Sequence, residues 1–175
     1  AFLDVTEVDE TWNPRMAEHR VYRYRLEGIE FWQYPGDVFN DWLAMFVGTY
    51  DGRNFARLEE GKNPIRTILS CEPWVVDGRV VGFEIVGEAF LWNQVRRTAM
   101  ALHRMSIGEI EPKAVESAIE RPEIEADFGV APPDWLMLWG VHWENIPLDD
   151  TPVDIQCFSA PPTGVGVERT MRKRW

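Results

Sequence analysis

The sequence predicts an α+β fold in which an antiparallel sheet carries helices packed on one face. Two apolar runs flank Asp77-Gly78, and this dipeptide is typical of a hairpin turn because both of its residues tolerate positive φ. Elsewhere apolar residues recur at helical spacing. The chain has 175 residues, 45% of them hydrophobic, which is enough for one sizeable core without a second domain.

The first part of the chain is expected to provide strands and one helix. Residues 5–8 are expected to form a short edge strand, and residues 21–29 alternate in character, with the tyrosines on one face and the arginines on the other. Apolar residues at helical spacing predict a helix over 38–46. Residues 48–62 are predicted to form a polar loop whose middle is anchored by Phe55.

The remaining elements of the domain follow from periodicity, turn and cap signals. The strands of the hairpin are predicted at 66–76 and 80–88, followed by an amphipathic helix over 90–106. A proline suits the first turn of a short helix over 112–120. Residues 136–143 are predicted to form a final strand.

Acidic and basic residues are unevenly distributed along the chain. The formal net charge of −11 at first argues against a nucleic-acid partner, because phosphate contacts need cations. Arginines nevertheless cluster within 15–25 and 96–104, and an acidic body with basic patches can still bind RNA. We divide the chain into a domain over 1–150 and an irregular basic tail over 151–175, which contains Arg169, Arg172, Lys173 and Arg174.

Composition argues against several classes of protein. Cys71 and Cys157 stand far apart and outside any Cys/His pattern, so we interpret them as free thiols in a reducing compartment, with no metal site. The sequence has no apolar run long enough to span a bilayer, and we expect no charged-then-apolar export leader. A cytoplasmic protein without membrane contact is therefore expected.

The stretch Phe90-Leu91-Trp92-Asn93-Gln94-Val95-Arg96-Arg97 opens the amphipathic helix directly after a strand. Leu91, Val95 and Leu102 share one apolar face, and Arg96 lies at its edge. A guanidinium at the edge of a core is costly to desolvate unless an anion meets it, so this helix could deliver one arginine to a partly buried site. On periodicity alone, an ordinary arginine that extends from a core helix to solvent is the favoured interpretation.

This stretch and several others, taken in order along the chain, resemble the C-terminal half of TruA-type tRNA pseudouridine synthases of the archaeal kind. The resemblance covers about residues 5–143 and implies a ferredoxin-like unit whose sheet joins another around an RNA-binding cleft. The chain departs from the family at Trp135, where glycine is usual. Besides the stretch just described, the matching segments are Asn13-Pro14-Arg15, Arg20-Val21-Tyr22-Arg23-Tyr24-Arg25, Asn54-Phe55-Ala56-Arg57, Asn63-Pro64-Ile65-Arg66-Thr67-Ile68 and residues 131–141.

The nucleophilic aspartate of this family lies in a Gly-Arg-Thr-Asp-x-Gly motif upstream of the matched region, and the sequence lacks that motif. We therefore expect one half of an enzyme that isomerises uridine to pseudouridine in tRNA, inactive alone and completed by an N-terminal half. The resemblance also implies the tRNA anticodon stem–loop as substrate, a homodimer, and no metal or organic cofactor.

The resemblance assigns roles to single residues, each of which also has an ordinary structural interpretation. Tyr22 is expected to stack on the target uracil and to act as the base that takes a proton, since a phenol offers a flat face and a tunable oxygen. Arg96 is expected to pair with the absent aspartate, which lowers the aspartate pKa and fixes its direction. Leu136 is expected to line the uracil pocket, and Phe55 to lie near the substrate. The candidates for holding the RNA are Arg20, Arg23, Arg25 and Arg97.

Other functions also fit the sequence. A non-catalytic RNA-binding module would use the same tyrosines and arginines without chemistry, and it would lack the nucleophile in the same way. A structural or protein-interaction domain would keep the fold while its acidic surface meets a basic partner. An independent enzyme that uses Glu84 or Glu88 is the weakest alternative, because single glutamates in a strand are mostly surface residues.

Overall fold

The structure is a computed structural model, and it describes residues 7–144 and residue 146. The predicted tail over 151–175 lies outside the described residues, so the division of the chain at residue 150 stays a prediction. The helices and strands, in chain order, are β1 (His19–Tyr24), α1 (Val38–Ala44), β2 (Gly48–Asp51), β3 (Ile65–Val76), β4 (Arg79–Gly87), α2 (Gln94–Ser106), α3 (Pro112–Glu120) and β5 (Leu136–His142). Short 3₁₀ turns cover Leu26–Gly28, Arg53–Phe55 and Pro133–Trp135.

The strands form one antiparallel sheet in the order β2-β3-β4-β1-β5. β3 and β4 are joined by Asp77 and Gly78, whose φ angles are 49° and 74°. Positive φ at both central positions matches the right-handed twist of the two strands that the turn connects. The hairpin predicted from Asp77-Gly78 is therefore confirmed.

The core lies between this sheet and the helices on one of its faces. Across β1 and β4, Tyr22 stands opposite Ile85 and Tyr24 opposite Phe83, which places these side chains on one face of the sheet. Tyr24, Phe83 and Ile85 are fully buried, and they belong to the same apolar cluster as Leu102 of α2. The α+β class with helices packed on one face is confirmed.

Several boundaries differ from the sequence prediction. The predicted polar loop over 48–62 contains β2, which pairs with the start of β3 at the edge of the sheet. The predicted edge strand over 5–8 is not present at Glu7 and Val8, while residues 5 and 6 lie outside the described part. Helix α2 begins at Gln94 rather than at residue 90, because Asn93 has a left-handed backbone with φ 64°.

Strand β1 ends at Tyr24, earlier than predicted, because the chain turns to meet the start of β5. The backbone N–H of Arg25 donates to the carbonyl oxygen of Trp135 at 3.0 Å, and the 3₁₀ turn Leu26–Gly28 follows. A Cβ atom at Gly28 would lie 2.3 Å from ring atoms of Trp135. Only glycine leaves room for this indole, so Gly28 accommodates Trp135.

Candidate active site

Arg96 lies in the first turn of α2, with its guanidinium half-buried and held at two points. Its Nε donates to the carbonyl oxygen of Ala131 at 2.7 Å, and its Nη1 donates to Oδ1 of Asn93 at 3.1 Å. Two bonds to different nitrogens fix the plane of the guanidinium. Its Nη2 has no hydrogen-bond partner among the described residues. The orientation of the guanidinium is therefore fixed, and its Nη2 can still donate to an anion.

The backbone around Arg96 is built to hold this orientation. Asn93 adopts the left-handed conformation that asparagine tolerates better than most residues. The buried side chain of Gln94 turns back, and its Oε1 accepts a hydrogen bond from the backbone N–H of Leu91 at 2.8 Å. The backbone N–H of Ala131 donates to the carbonyl oxygen of Arg96 at 3.1 Å. Ala131 thus contacts Arg96 through both its N–H and its carbonyl group.

Tyr22 lies on the helix-covered face of the sheet, half-buried. Its ring meets that of Phe90 edge to face, with centroids 5.0 Å apart and an interplanar angle of 81°. On the other side, Leu138 is its partner in β5. Phe90 contacts the phenol ring, which is only half-buried, so part of its surface stays open.

Tyr24 connects β1 to the segment that holds Arg96. Its hydroxyl donates to the carbonyl oxygen of Pro132 at 2.8 Å, the residue after Ala131. Burial raises the pKa of Tyr24, and the nearby Arg96 charge opposes that rise. A buried phenol that already donates to a carbonyl is a packing residue.

The structure brings some of the predicted site residues together. Leu136 stands opposite Tyr24 in the strand pairing, on the same face as Tyr22, and its half-buried side chain packs on the core. Arg96 approaches the same region through the segment 131–132. Tyr22, Leu136 and Arg96 thus lie along one side of the sheet, on β1, β5 and α2.

The expectation for Phe55 is corrected by its burial. Its side chain is fully buried in the core, with ring centroids 5.3 Å from Phe46 and 5.4 Å from Phe128. No surface of this ring is left to contact a substrate, so Phe55 packs the interior. The neighbouring Asn54 is also buried, and its side-chain amide donates to the carbonyl oxygens of Ala118 and Ile124, both at 3.0 Å.

Arg23 and Arg25 are engaged with carboxylates of the protein. Arg23 lies on the opposite face of the sheet from Tyr22, and its Nε donates to Glu84 at 2.6 Å. Its guanidinium also stacks 3.8 Å from the ring centroid of Trp139. The side chain of Arg25 is only 5% exposed and forms an ion pair with Glu27. Strand alternation predicted a shared face for these arginines, but the partners on it are carboxylates and indoles.

Arg20 and Arg97 are likewise engaged with protein groups. Arg20 donates to the carbonyl oxygens of Glu88 and Arg15, at 2.7 and 3.1 Å. Arg97 donates to Oδ1 of Asp127 at 2.8 Å. The backbone N–H of the nearby Gly129 and the Arg97 charge both lower the pKa of Asp127. Roles for Arg20 and Arg97 in holding RNA would require these contacts to be exchanged.

Sequence reasoning missed two contributors to this region. Asn93 supplies the acceptor that orients Arg96, and its signal was an asparagine three residues before the arginine at a helix start. Arg57 donates its backbone N–H to the carbonyl oxygen of Trp92 at 2.9 Å and places its guanidinium 4.7 Å from the Trp92 ring centroid. No local pattern indicates this second contact, because the two residues are distant in the chain.

Within residues 7–144 and at 146, no group of three or more His, Cys, Asp or Glu side chains is placed to hold a metal ion. Cys71 is a buried free thiol, and burial raises its pKa. In the same part of the chain, no helix has the length and apolar character needed to cross a membrane.

The chain is similar to known proteins over most of its length. A sequence profile of the family described as tRNA pseudouridine synthase matches residues 43–144. The protein called tRNA pseudouridine synthase A in Methanocorpusculum labreanum is 34% identical over 142 residues, which are 79% of this chain and 48% of that protein. The proteins of the same name in Thermococcus sibiricus and Pyrococcus furiosus are each 35% identical, over 82% and 81% of this chain and 53% and 52% of their own length. The chain spans about half the length of the curated relatives it matches.

Proposed function

Because the chain belongs to the tRNA pseudouridine synthase family, we propose that it supplies one side of an active site that isomerises uridine to pseudouridine in tRNA. The observation that carries this proposal is the Arg96 guanidinium, which is held by Asn93 and Ala131 while its Nη2 is left without a partner among the described residues. Such a group is suited to a carboxylate delivered by another part of the protein.

The carboxylate in this proposal is an aspartate in an N-terminal half. A guanidinium beside it lowers the aspartate pKa and keeps it ionised as the nucleophile. In the route by covalent attack, the aspartate bonds to ribose C1′ as the bond from C1′ to uracil N1 breaks. The uracil then turns, and C5 bonds to C1′ while the bond from C1′ to the aspartate breaks. The proton on C5 leaves, and N1 gains one, so the product has the same composition as the substrate. Arg96 stabilises the carboxylate before it attacks and after it is released.

Tyr22 is the residue we propose to receive the C5 proton and to stack on the uracil. Its half-buried ring is held by Phe90 at 5.0 Å, which leaves one part of the phenol open to a base. Leu136 lies on the same face and would give the uracil an apolar wall. Reaching this surface requires the uridine to leave its stack in the RNA, at a cost of a few kcal/mol.

The anticodon stem–loop of tRNA is the proposed substrate, since a loop presents bases that can be turned out of the stack. A homodimer, a cytoplasmic location and the absence of a cofactor belong to the same proposal. They rest on the family and not on a contact in this chain.

Release of tritium from tRNA that carries 5-³H-uridine tests the proposal. We expect no release by this chain alone and release when the upstream residues are restored. In that longer protein Arg96→Lys should abolish release, because lysine cannot offer the same pair of donors. The matched control is Arg104→Lys in the same helix, where the arginine is partly exposed and paired with Glu109 at 2.8 Å.

The outcomes separate the alternatives. Release by the chain alone would show that the nucleophile is within these residues. Binding of tRNA without release by the longer protein would favour the RNA-binding module. Neither binding nor release would favour the structural or protein-interaction domain.

A further inference from the structure

We propose that the indole of Trp92 is a stacking surface for an unpaired nucleobase of the RNA, next to the uridine that reacts. The inference rests on the proposed function and adds a binding residue to it. It arises from three observations on Trp92, which concern its exposure, its contact with Arg57 and its place beside Arg96.

Trp92 has a large apolar side chain that is exposed to solvent, and the backbone on either side of it is fixed by local contacts. It is 55% exposed, although Leu91 before it is buried and its N–H is bonded to the Gln94 side chain at 2.8 Å. Asn93 after it is fixed in a left-handed conformation. The indole is therefore presented by an anchored turn, and ordering this backbone would cost little when a ligand binds.

One face of the indole is covered by a cation. The guanidinium of Arg57 lies 4.7 Å from the ring centroid, and its backbone N–H donates to the carbonyl oxygen of Trp92 at 2.9 Å. Arg57 is exposed and has no ion pair within the described residues. An aromatic ring beside an arginine without a carboxylate combines a stacking face for a base with a charge for its phosphate.

In the other arginine–tryptophan contacts of the described chain, the arginine is paired with a carboxylate. Arg23 stacks on Trp139 at 3.8 Å and lies 5.5 Å from the ring centroid of Trp74. Arg25, which pairs with Glu27, lies 5.9 Å from the same Trp74 centroid. Arg23 is neutralised by Glu84, with its Nε 2.6 Å from the carboxylate. A phosphate approaching that face would meet a carboxylate, so the charge pattern singles out Trp92.

The position of Trp92 decides which nucleotide it would meet. Asn93 follows it directly, and the Oδ1 of Asn93 accepts a hydrogen bond from Arg96 at 3.1 Å. A base on the indole would therefore lie beside the site at which Arg96 meets the nucleophile. The ligand is a single-stranded nucleotide of the loop that flanks the target uridine, and stacking on it would tolerate any base.

Equilibrium binding of a fluorescein-labelled anticodon stem–loop to the protein with its upstream residues restored tests this inference. We expect Trp92→Ala to raise the Kd by roughly tenfold or more and Trp92→Phe to raise it much less, since base–aromatic stacking depends on a flat ring. Tyr34→Ala is the control, because Tyr34 is also an exposed aromatic, packed edge to face on Phe39 away from this turn. Melting curves check that all variants remain folded.

A series of stem–loops, each with one abasic nucleotide in the loop, identifies the contact. For one member of the series, the original protein and the Trp92→Ala variant should bind equally well. If both bind every stem–loop equally, the Trp92 surface is overturned while the proposed function stands. If the original protein binds no stem–loop, the proposed function fails and the inference fails with it.

Discussion

At the scale of single residues, the direction of the Arg96 guanidinium depends on one asparagine. Asn93 has two properties here, a left-handed backbone and a side-chain oxygen that accepts from Nη1 of Arg96. Glycine can supply the first without the second, because it adopts positive φ at no steric cost. The two contributions of Asn93 can therefore be separated by substitution.

We expect Asn93→Gly to slow pseudouridine formation by roughly tenfold or more, because a hydrogen bond to a charged group contributes about 1.5–3 kcal/mol. The melting temperature should change little. Asn93→Asp keeps an acceptor but gives Arg96 a second carboxylate, so the nucleophile pKa should rise and the acidic limb of the pH–rate profile should move to higher pH. Single-turnover rates across pH measure both effects. An unchanged rate in Asn93→Gly would mean that Ala131 alone positions Arg96.

His103 gives the folded chain a dependence on pH that does not involve the candidate active site. It is buried in α2, and its Nδ1 has no hydrogen-bond partner among the residues that the structure describes. Burial lowers its pKa below the ordinary value of 6.5, with Glu109 opposing and Arg104 adding to the shift. Below pH 6.5 the unfolded chain therefore binds more protons at this site than the folded chain does.

We expect the stabilising effect of a neutral His103 to be complete above about pH 6.5 and to be lost as the pH falls through its lowered folded pKa. In His103→Gln, which cannot be protonated, the melting temperature should fall less between pH 7.5 and 5.5 (about two pH units, spanning the ordinary histidine pKa). His19→Gln is the control. A melting temperature of the original chain that does not change over this interval would contradict the assignment.

At the scale of the elements, the sequence predicted those whose signals lie within the element itself. The hairpin of β3 and β4 and the helices carry their signals in the turn residues and apolar spacing. Strand β2 carries no such local signal. It has four residues and pairs along one edge only, so its position depends on its pairing with Ile65–Ile68 of β3. The end of β1 is likewise set by a contact with Trp135, far along the chain.

Gly82 in β4 shows how closely these elements approach. A Cβ atom there would lie 1.9 Å from the carbonyl oxygen of Tyr24 and 2.9 Å from the backbone nitrogen of Leu26. Backbone atoms cannot move aside as a flexible side chain can. We expect Gly82→Ala to lower the free energy of unfolding by about 3 kcal/mol or more, measured by urea denaturation.

Gly78 provides the matched control for this prediction. Its φ is +74°, and apart from its chain neighbours a Cβ atom there would meet no atom of the described residues within 4 Å. Gly78→Ala should therefore cost only the backbone strain, about 1 kcal/mol. If the two alanine variants were equally stable, the close approach of β4 to the end of β1 would be wrong.

At the scale of the whole molecule, the fold could be predicted more completely than the site. The resemblance supplied Tyr22, Arg96 and Leu136, which the structure places along one side of the sheet. The arginines predicted to hold phosphates are engaged with protein groups, and their contact with RNA stays a prediction. Arg25 pairs with the nearby Glu27, whereas the carboxylates that Arg23 and Arg97 meet are distant in sequence. Glu84 is 61 residues from Arg23, and Asp127 is 30 residues from Arg97. No local pattern shows such pairs.

Because the net charge is −11, each arginine without an ion pair matters for the attraction of RNA phosphates. Arg23 is held by Glu84 on the face away from Tyr22, whereas Arg57 is exposed beside Trp92 without an ion pair in the described residues. Removing a cation that contacts phosphate reduces the slope of log K against log salt, by about 0.7 for single strands and 0.9 for duplex. An arginine that stays paired with a carboxylate does not contact phosphate, so it releases no counterion from the RNA.

We therefore expect Arg57→Gln to make RNA binding less dependent on salt, reducing the slope by about 0.7–0.9. Arg23→Gln should leave the slope unchanged, because Glu84 already neutralises that charge in the free protein. Titrations of a labelled stem–loop at several KCl concentrations measure both slopes in the protein with its upstream residues restored. The opposite ranking would mean that the RNA crosses the open face of the sheet and displaces Glu84 from Arg23. It would restore the arginines of β1 as the phosphate-binding surface.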